Sequence, residues 1–325
     1  MPDVRAELGF DGSLADAVDA ALEVLGTVGE RDVPIGPLTT YRVGGAAAVL
    51  ARVGSLADLE RVGAAIAVSG LPVVILGRGS NVLVADRGFA GIVVSATALT
   101  DRFEIDVEHA VVRAGSSVPL PVLARQCAAR GLTGFEWAVG VPGSIGGAVR
   151  MNAGGHGSDI AASLVEVTIS DLLGAAPGRP EVRPASELGL RFRGSDLGTG
   201  VLVIDAVLQL APGVADVAEA AISEVVAWRR ANQPGGQNAG SVFVNPVPGE
   251  VSAGALIDQL GLRGLRVGSA HVSDKHANFI QADEGGSADD VHALMEMVRE
   301  RVREATGYDL RSEIRLLGFD GQDRE

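Results

Sequence analysis

Lysine is almost missing from this chain. Lys275 stands alone among 325 residues, and Lys and Arg together number 27 against 41 Asp and Glu, a net charge of −14. Aromatic residues make up only 4%. With neither a basic footprint nor a stacking platform, nucleic acid is not an expected partner. The one cysteine, Cys127, excludes an internal disulfide and a thiolate metal cluster. The five histidines lie apart without metal-ligand spacing, so no metal is expected. No apolar run approaches the roughly 18 residues of a membrane span, and residues 1–5 lack the basic-then-apolar order of a secretory leader. A cytoplasmic protein without membrane insertion is the expectation.

What the chain does have is small and apolar residues. At 47% apolar composition it can bury a substantial core in two or three lobes. Residues 134–157, GFEWAVGVPGSIGGAVRMNAGGHG, are nearly half Gly or Ala and almost free of charge. Each glycine there forfeits packing and costs backbone entropy, so the run suits main chain lying against something large and flat. Peptide N–H groups of such turns can cradle a phosphate, and absent side chains admit a ring system. A shorter loop of this kind, LGRGSNVLV at 76–84, follows an apolar run at 73–76. Two such loops suggest one extended nucleotide cofactor gripped twice. Neither ends in the Lys-Ser/Thr pair of a P-loop.

In chain order, apolar spacing predicts a helix over 14–25 closed by Gly26, and a glycine turn feeding a strand near 46–53. Ser55, with Asp58 three residues on, caps a helix to about Ser69. Strands follow at 73–76, 91–95 and 110–114, then a helix over 119–130 stopped by Gly131. Cys127 falls among Leu123 and Ala124 and reads as a small core residue. Strands are expected at 163–170 and 201–210, with a Pro/Gly-rich hairpin or loop at 174–184 between them. A boundary near 211–213 leads into an amphipathic helix over 216–230. The last third adds a helix at 253–260, a strand at 278–281, and a long helix from Ser287 to about Thr306, with Ser287 and Asp290 as a capping box and Gly307 as the stop. The chain closes on the strand-like alternation DLRSEIRLLGF.

Four segments offer chemistry. In QPGGQNAGSVFVNP, Ser241 lies between a glycine loop and a short apolar run, as either a presented hydroxyl or a turn serine. In LRSEIRL, period two puts Arg311, Glu313 and Arg315 on one face, as a solvated charge ladder or as a carboxylate flanked by guanidiniums. Arg193 in LRFRGSDL is a surface arginine or a clamp for carboxylate or phosphate. SDKHANFI sets Lys275 beside His276 at a strand entrance.

Taken together and in this order, TTYRVGGAA, LGRGSNVLV, the 134–157 stretch, LRFRGS, NAGSVFVNP, SDKHANFI and LRSEIRLLG resemble the UDP-N-acetylenolpyruvoylglucosamine reductase (MurB) family across most of the chain. The resemblance implies an α+β protein. Its FAD-binding fold of the vanillyl-alcohol-oxidase (PCMH) type occupies lobes 1–76 and 77–212, and an α/β substrate-binding domain occupies 213–325, with the last strand returning toward the FAD lobes. It implies non-covalent FAD, NADPH as reductant, and an enolpyruvyl sugar nucleotide as substrate; a monomer is the expectation. Cofactor contacts are implied at Tyr41, Arg42, Gly44 and Gly45, and at Gly77, Arg78, Gly79, Ser80, Asn81, Val82 and Leu83. Further contacts are implied at Gly140, Val141, Pro142, Gly143, Ser144, Gly146, Gly147 and Asn152.

Ser241 matches the family's proton donor, and Arg193 and Glu313 match the residues that bind and polarise the enolpyruvyl carboxylate. An acidic chain must line its cleft with cations to accept a pyrophosphate. Arg229, Arg230, Arg263 and Lys275 are the candidates, with Asn245 and His276 as neutral partners. Phe192 stands where the family commonly has Tyr, and Val244 where it often has Lys, which bears on substrate affinity. The competing readings are a reductase or oxidase that kept the cofactor but changed its substrate for secondary metabolism, and a catalytically silent FAD or nucleotide sensor. Covalent attachment in relatives of this fold needs a His or Cys, and His156 lies in the relevant stretch.

Overall fold

The computed structural model describes residues 13–320, and the 1–5 segment lies outside them. Two compact units are present. Of the described residues, the first comprises 13–33, 47–78 and 90–226, and the second comprises 34–46, 79–89 and 227–320.

The first unit carries two cores. One forms where helices Leu14–Leu25 and Leu56–Ser69 cover a four-stranded sheet ordered Gly29–Pro34, Ala46–Arg52, Phe89–Ser95, Val73–Ile75. Ser13 and Asp16 cap the first helix reciprocally, and Ser55 accepts from the Asp58 N–H at 3.2 Å to start the second. Val73–Ile75 runs parallel to Phe89–Ser95. The expected division at 76/77 therefore falls between two strands hydrogen-bonded in one sheet, because the segment joining them, which contains Val82–Val84 and no helix, returns the chain to that sheet.

The other core lies against an antiparallel sheet ordered Glu181–Pro184, Leu164–Asp171, Val201–Gln209, Val111–Gly115, Phe103–Asp106. Glu181–Pro184 makes the 174–184 segment a hairpin arm. Helix Leu120–Ala128 buries Cys127 here, where desolvation pushes the thiol up to about 12. Ala218, Ile222 and Val225 of helix Ala215–Asn232 join this core, so the first unit continues past the expected boundary at 212/213 into the helix itself.

The second unit draws two short early segments together with the last third of the chain. Its core gathers Tyr41, Val43 and Leu83 with residues of helices Ala253–Gln259 and Ala288–Thr306 and of the antiparallel sheet Arg266–Val267, Ala270–Val272, Ile280–Ala282. The last strand, Arg315–Leu317, pairs parallel with Val82–Val84. The capping box expected at Ser287 and Asp290 is open. Ser287 Oγ accepts from the Asp290 N–H at 3.1 Å, but the Asp290 carboxylate takes the Ser269 N–H and hydroxyl, each at 2.8 Å. The helix start is closed instead by Asp86, whose carboxylate accepts the Ala288 N–H at 2.9 Å and the Ser287 hydroxyl. No helix among the described residues is long and apolar enough to cross a membrane.

Candidate functional site

In the first unit, the glycine-rich stretch folds as a 3-10 turn, Glu136–Gly140, followed by a short helix, Ile145–Met151. Both are brief, as glycine's poor helix propensity dictates. The glycines divide by what a Cβ would meet. At Gly146 it would lie 2.7 Å from Ser116 Cβ, and the Gly146 N–H donates to Ser116 O at 2.9 Å, so this glycine allows close packing inside the protein. At Gly147 it would meet nothing nearer than Ser144 Oγ at 3.9 Å, and at Gly155 nothing within 4 Å. Those two leave an open backbone face of the kind a flat ring needs. Ile145 N–H donates to Val118 O at 3.1 Å, so the helix entrance is itself partly engaged within the protein.

Asn152 ends this helix in a left-handed conformation, φ +38°, and is buried. Its Nδ2 donates to Asp159 Oδ2 at 3.1 Å and to Arg191 O at 3.3 Å, while its Oδ1 accepts the Ala161 N–H at 3.1 Å. An amide with those partners holds chain segments together, a supporting part relative to the cofactor contact the resemblance implies. One of the segments it holds carries Arg193. Arg191 and Gly194 exchange both main-chain hydrogen bonds, at 3.0 and 3.1 Å, closing a tight turn with Phe192 and Arg193 at its tip. Arg193 sits there at φ +58°, a region that costs a non-glycine residue of the order of 1 kcal/mol or more. Arg193 donates to Gly154 O at 3.3 Å, and its guanidinium lies 5.2 Å from the Phe192 ring centroid. Phe192 is 55% exposed, so the lost tyrosine hydroxyl would have faced outward. The turn is anchored further by Ser195 Oγ on Arg150 O at 2.8 Å and by the Arg150 guanidinium on the carbonyls of Leu197, Gly198 and Val201.

In the second unit, Tyr41 and Leu83 have no accessible surface. The Tyr41 hydroxyl donates to Ile280 O at 3.1 Å, and burial drives its ionisation far above the normal range. These two implied cofactor contacts are core residues that hold the loops. Gly44 and Gly79, at φ +107° and +60°, bring the two early segments together: a Cβ on either would lie 2.2 Å from Val84 O or 2.6 Å from Leu38 O. Arg42 and Arg78 are exposed, and Ser80, Asn81 and Val82 half-buried.

Asn81 reaches the chain near the expected acid. Its Nδ2 donates to Glu313 O at 2.9 Å and its carbonyl accepts the Arg315 N–H at 3.0 Å. Glu313 N–H in turn donates to Val242 O at 2.8 Å. Ser241 and Glu313, 72 positions apart in sequence (313 − 241), are thus on adjacent extended segments with a main-chain bond between Glu313 and the residue after Ser241. Both are half-buried.

The expected substrate cations fare differently. Lys275 Nζ donates to Arg230 O near the end of helix Ala215–Asn232. Arg263 grips the Asp258 carboxylate at 2.5 and 3.1 Å and donates to Asp274 O at 2.7 Å, which holds Asp258 below the usual carboxylate range. His276 Nδ1 accepts the Asn278 N–H at 3.2 Å, and Asn245 Oδ1 accepts the Ala253 N–H at 3.1 Å. These contacts are internal and tie loops together. Arg229 is half-buried, its pKa pushed down by desolvation, and has no ion pair among the described residues. Arg230 is exposed. Val244 is buried, which suits the aliphatic residue this chain has there.

Among the described residues no cluster of three or more His, Cys, Asp or Glu is placed to hold a metal ion. Asn278, whose side chain pairs with Phe243, was not distinguished by the sequence reading. A strand-disfavoured asparagine at the entrance of an apolar strand was the available signal.

Comparison with known proteins bears on the whole chain. The family model for the UDP-N-acetylenolpyruvoylglucosamine reductase C-terminal domain matches residues 232–317, and an FAD binding domain model matches 47–174. UDP-N-acetylenolpyruvoylglucosamine reductase 2 of Symbiobacterium thermophilum is 41% identical over 292 residues, 89% of this chain and 92% of that protein. The reductase of Acidiphilium cryptum is 41% identical over 310 residues, 94% of this chain and 96% of that one. The crystal structure of the reductase (MurB) from Thermus caldophilus aligns with a TM-score of 0.74 at 33% identity, covering 88% of this chain and 98% of that one. The α+β class and the FAD-binding fold expected from the motifs therefore stand. Identity at this level over nine-tenths of both partners leaves one conclusion: the chain belongs to the UDP-N-acetylenolpyruvoylglucosamine reductase family.

Proposed function

We propose that this protein catalyses the NADPH-dependent, FAD-mediated reduction of UDP-N-acetylglucosamine enolpyruvate to UDP-N-acetylmuramate, a step of peptidoglycan precursor synthesis. The observation that carries this reading is the pairing of Ser241 and Glu313 on adjacent segments, fixed by the 2.8 Å bond from Glu313 N–H to Val242 O.

The glycine-rich stretch fits a flavin dinucleotide, since Gly147 and Gly155 leave open backbone that side chains would fill. FAD, when bound, supplies the hydride carrier between nicotinamide and substrate. The chain's own residues then handle charge and protons. Hydride arrival at the terminal methylene carbon leaves negative charge on the neighbouring carbon and its carboxylate. Arg193, presented by its strained turn, binds that carboxylate as a fixed planar cation. Glu313 stabilises the enolate through a hydrogen bond, and Ser241 delivers the proton to carbon. A serine hydroxyl is a weak acid, so it serves only a strongly basic carbanion, and the serinate regains its proton from solvent. With Lys275 and Arg263 engaged elsewhere, the pyrophosphate falls to Arg229 and Arg230. We place the reaction in the cytoplasm, carried out by a monomer.

The test is NADPH consumption with and without the enolpyruvyl sugar nucleotide, for the wild type and Ser241→Ala. Substrate-dependent turnover that collapses in the variant by roughly 10²-fold or more, while NADPH still reduces the flavin, is the expected outcome. A flavin that NADPH reduces but the sugar nucleotide never reoxidises would sink the assignment.

A further inference from the structure

Segment 240–244 carries Ser241, yet it belongs to no sheet. Its one ladder contact is an isolated bridge from Phe243 to Ser312. The residue before the serine, Gly240, sits at φ +81° with nothing within 4 Å of where a Cβ would be. A proton donor on such a segment needs something to set its position, because proton transfer to carbon falls steeply with misplacement.

We infer that Asn278 is the positioning residue for the proton-transfer step, setting Ser241 by clamping the main chain of Val242 and Phe243. The inference rests on the reading of Ser241 as proton donor. Every main-chain polar group of that dipeptide is engaged, and Asn278 supplies three of the four partners. Its carbonyl accepts the Val242 N–H at 2.9 Å, its Oδ1 accepts the Phe243 N–H at 3.0 Å, and its Nδ2 donates to Phe243 O at 2.8 Å. The fourth group, Val242 O, accepts from Glu313 N–H at 2.8 Å. Asn278 thus holds the serine segment on one side while the segment of Glu313 holds it on the other, fixing the donor's spacing to the acid.

Only a carboxamide can do this. It offers a donor and an acceptor on one planar group and so imitates a peptide unit facing another. Asp would offer acceptors alone and set a charge against Phe243 O. An aliphatic residue would leave both Phe243 groups buried and unpaired. Asn278 is itself fixed, at 4% exposure, with its N–H on His276 Nδ1 at 3.2 Å.

The FAD-loaded enzyme is tested by rapid mixing, with the two half-reactions measured apart: flavin reduction by NADPH, and flavin reoxidation by the enolpyruvyl sugar nucleotide. In Asn278→Ala, reduction should stay within about twofold of wild type, while reoxidation falls roughly a hundredfold with a larger solvent isotope effect. Asn278→Asp, which keeps the volume and one of the two Phe243 bonds, should show the same split and carries the test if the alanine variant does not fold. Val291→Ala, a cavity in the core of the same unit, controls for lost stability and should leave both half-reactions near wild type. An equal fall in both half-reactions, an equal reoxidation loss in Val291→Ala, or full reoxidation in both Asn278 variants would overturn the inference. If Ser241→Ala itself reoxidises normally, the serine reading has failed, and this inference falls with it.

Discussion

Replacing Tyr41 with Phe separates two parts the residue could play. As a cofactor contact, its hydroxyl would matter for FAD affinity and little for folding. In the structure the ring has no accessible surface, and its hydroxyl donates to Ile280 O at 3.1 Å. Phe keeps the buried ring, so the hydrophobic contribution is unchanged. What changes is that a buried carbonyl, Ile280 O, loses a partner. Desolvated groups left unpaired cost about 1–3 kcal/mol, and with Ile280 O also placed in a sheet, a net loss of about 2 kcal/mol is expected. At roughly 2–4 °C per kcal/mol, the transition of the second unit should drop by about 4–8 °C. Calorimetry of wild type and variant, alongside FAD titration of the apoprotein, measures both quantities. A stability loss of this size with FAD affinity unchanged is the expected result. Unchanged melting with FAD affinity reduced tenfold or more would refute the supporting role and restore the contact.

Two further outcomes follow from the same reasoning. Gly146→Ala should destabilise the first unit by about 1–3 kcal/mol, because its Cβ would lie 2.7 Å from Ser116 Cβ, whereas Gly147→Ala, facing open space, should melt near wild type and weaken FAD binding instead. Equal melting temperatures for the two variants would contradict that division. Burial and the Arg263 charge lower the pKa of His276, whose Nδ1 must stay unprotonated to accept the Asn278 N–H. With the folded pKa below the unfolded value of about 6.5, the unfolded state binds more protons. The contribution is therefore present above about pH 6.5 and lost as pH falls through that value toward the folded pKa. Urea unfolding of wild type and His276→Asn across this window should show a steeper pH dependence in the wild type, and identical slopes would refute it.

Much of the local structure was legible in the sequence because its causes are local. Gly26 and Gly307 end helices, and Ser55 and Ser287 start them, through interactions within a turn of chain. The Ser55 cap marked the start of helix Leu56–Ser69, and its end falls at Ser69, about where it was expected. The ordered motifs named the family and its fold. The closing alternation DLRSEIRLLGF overstated its strand, which spans only Arg315–Leu317, since strand length depends on a partner and the partner here is the three-residue Val82–Val84.

The glycine segments show the limit more sharply. By itself, the sequence marked 44–45 as a glycine turn, and 76–84 and 134–157 as main chain suited to lie close against something, since glycine's missing Cβ is a property of the residue. Tertiary structure alone decided what that something is: Val84 and Leu38 carbonyls for Gly44 and Gly79, Ser116 for Gly146, and open space for Gly147. The same holds for charge. Arg263 and Lys275 were identifiable as cations, but their engagement with Asp258 and the Arg230 carbonyl depends on segments folded together from distant positions. Asn278 is the clearest case. Its residue type has a donor and an acceptor anywhere in the chain, and only the fold sets both against Phe243, because a hydrogen bond is defined by where its partner lies.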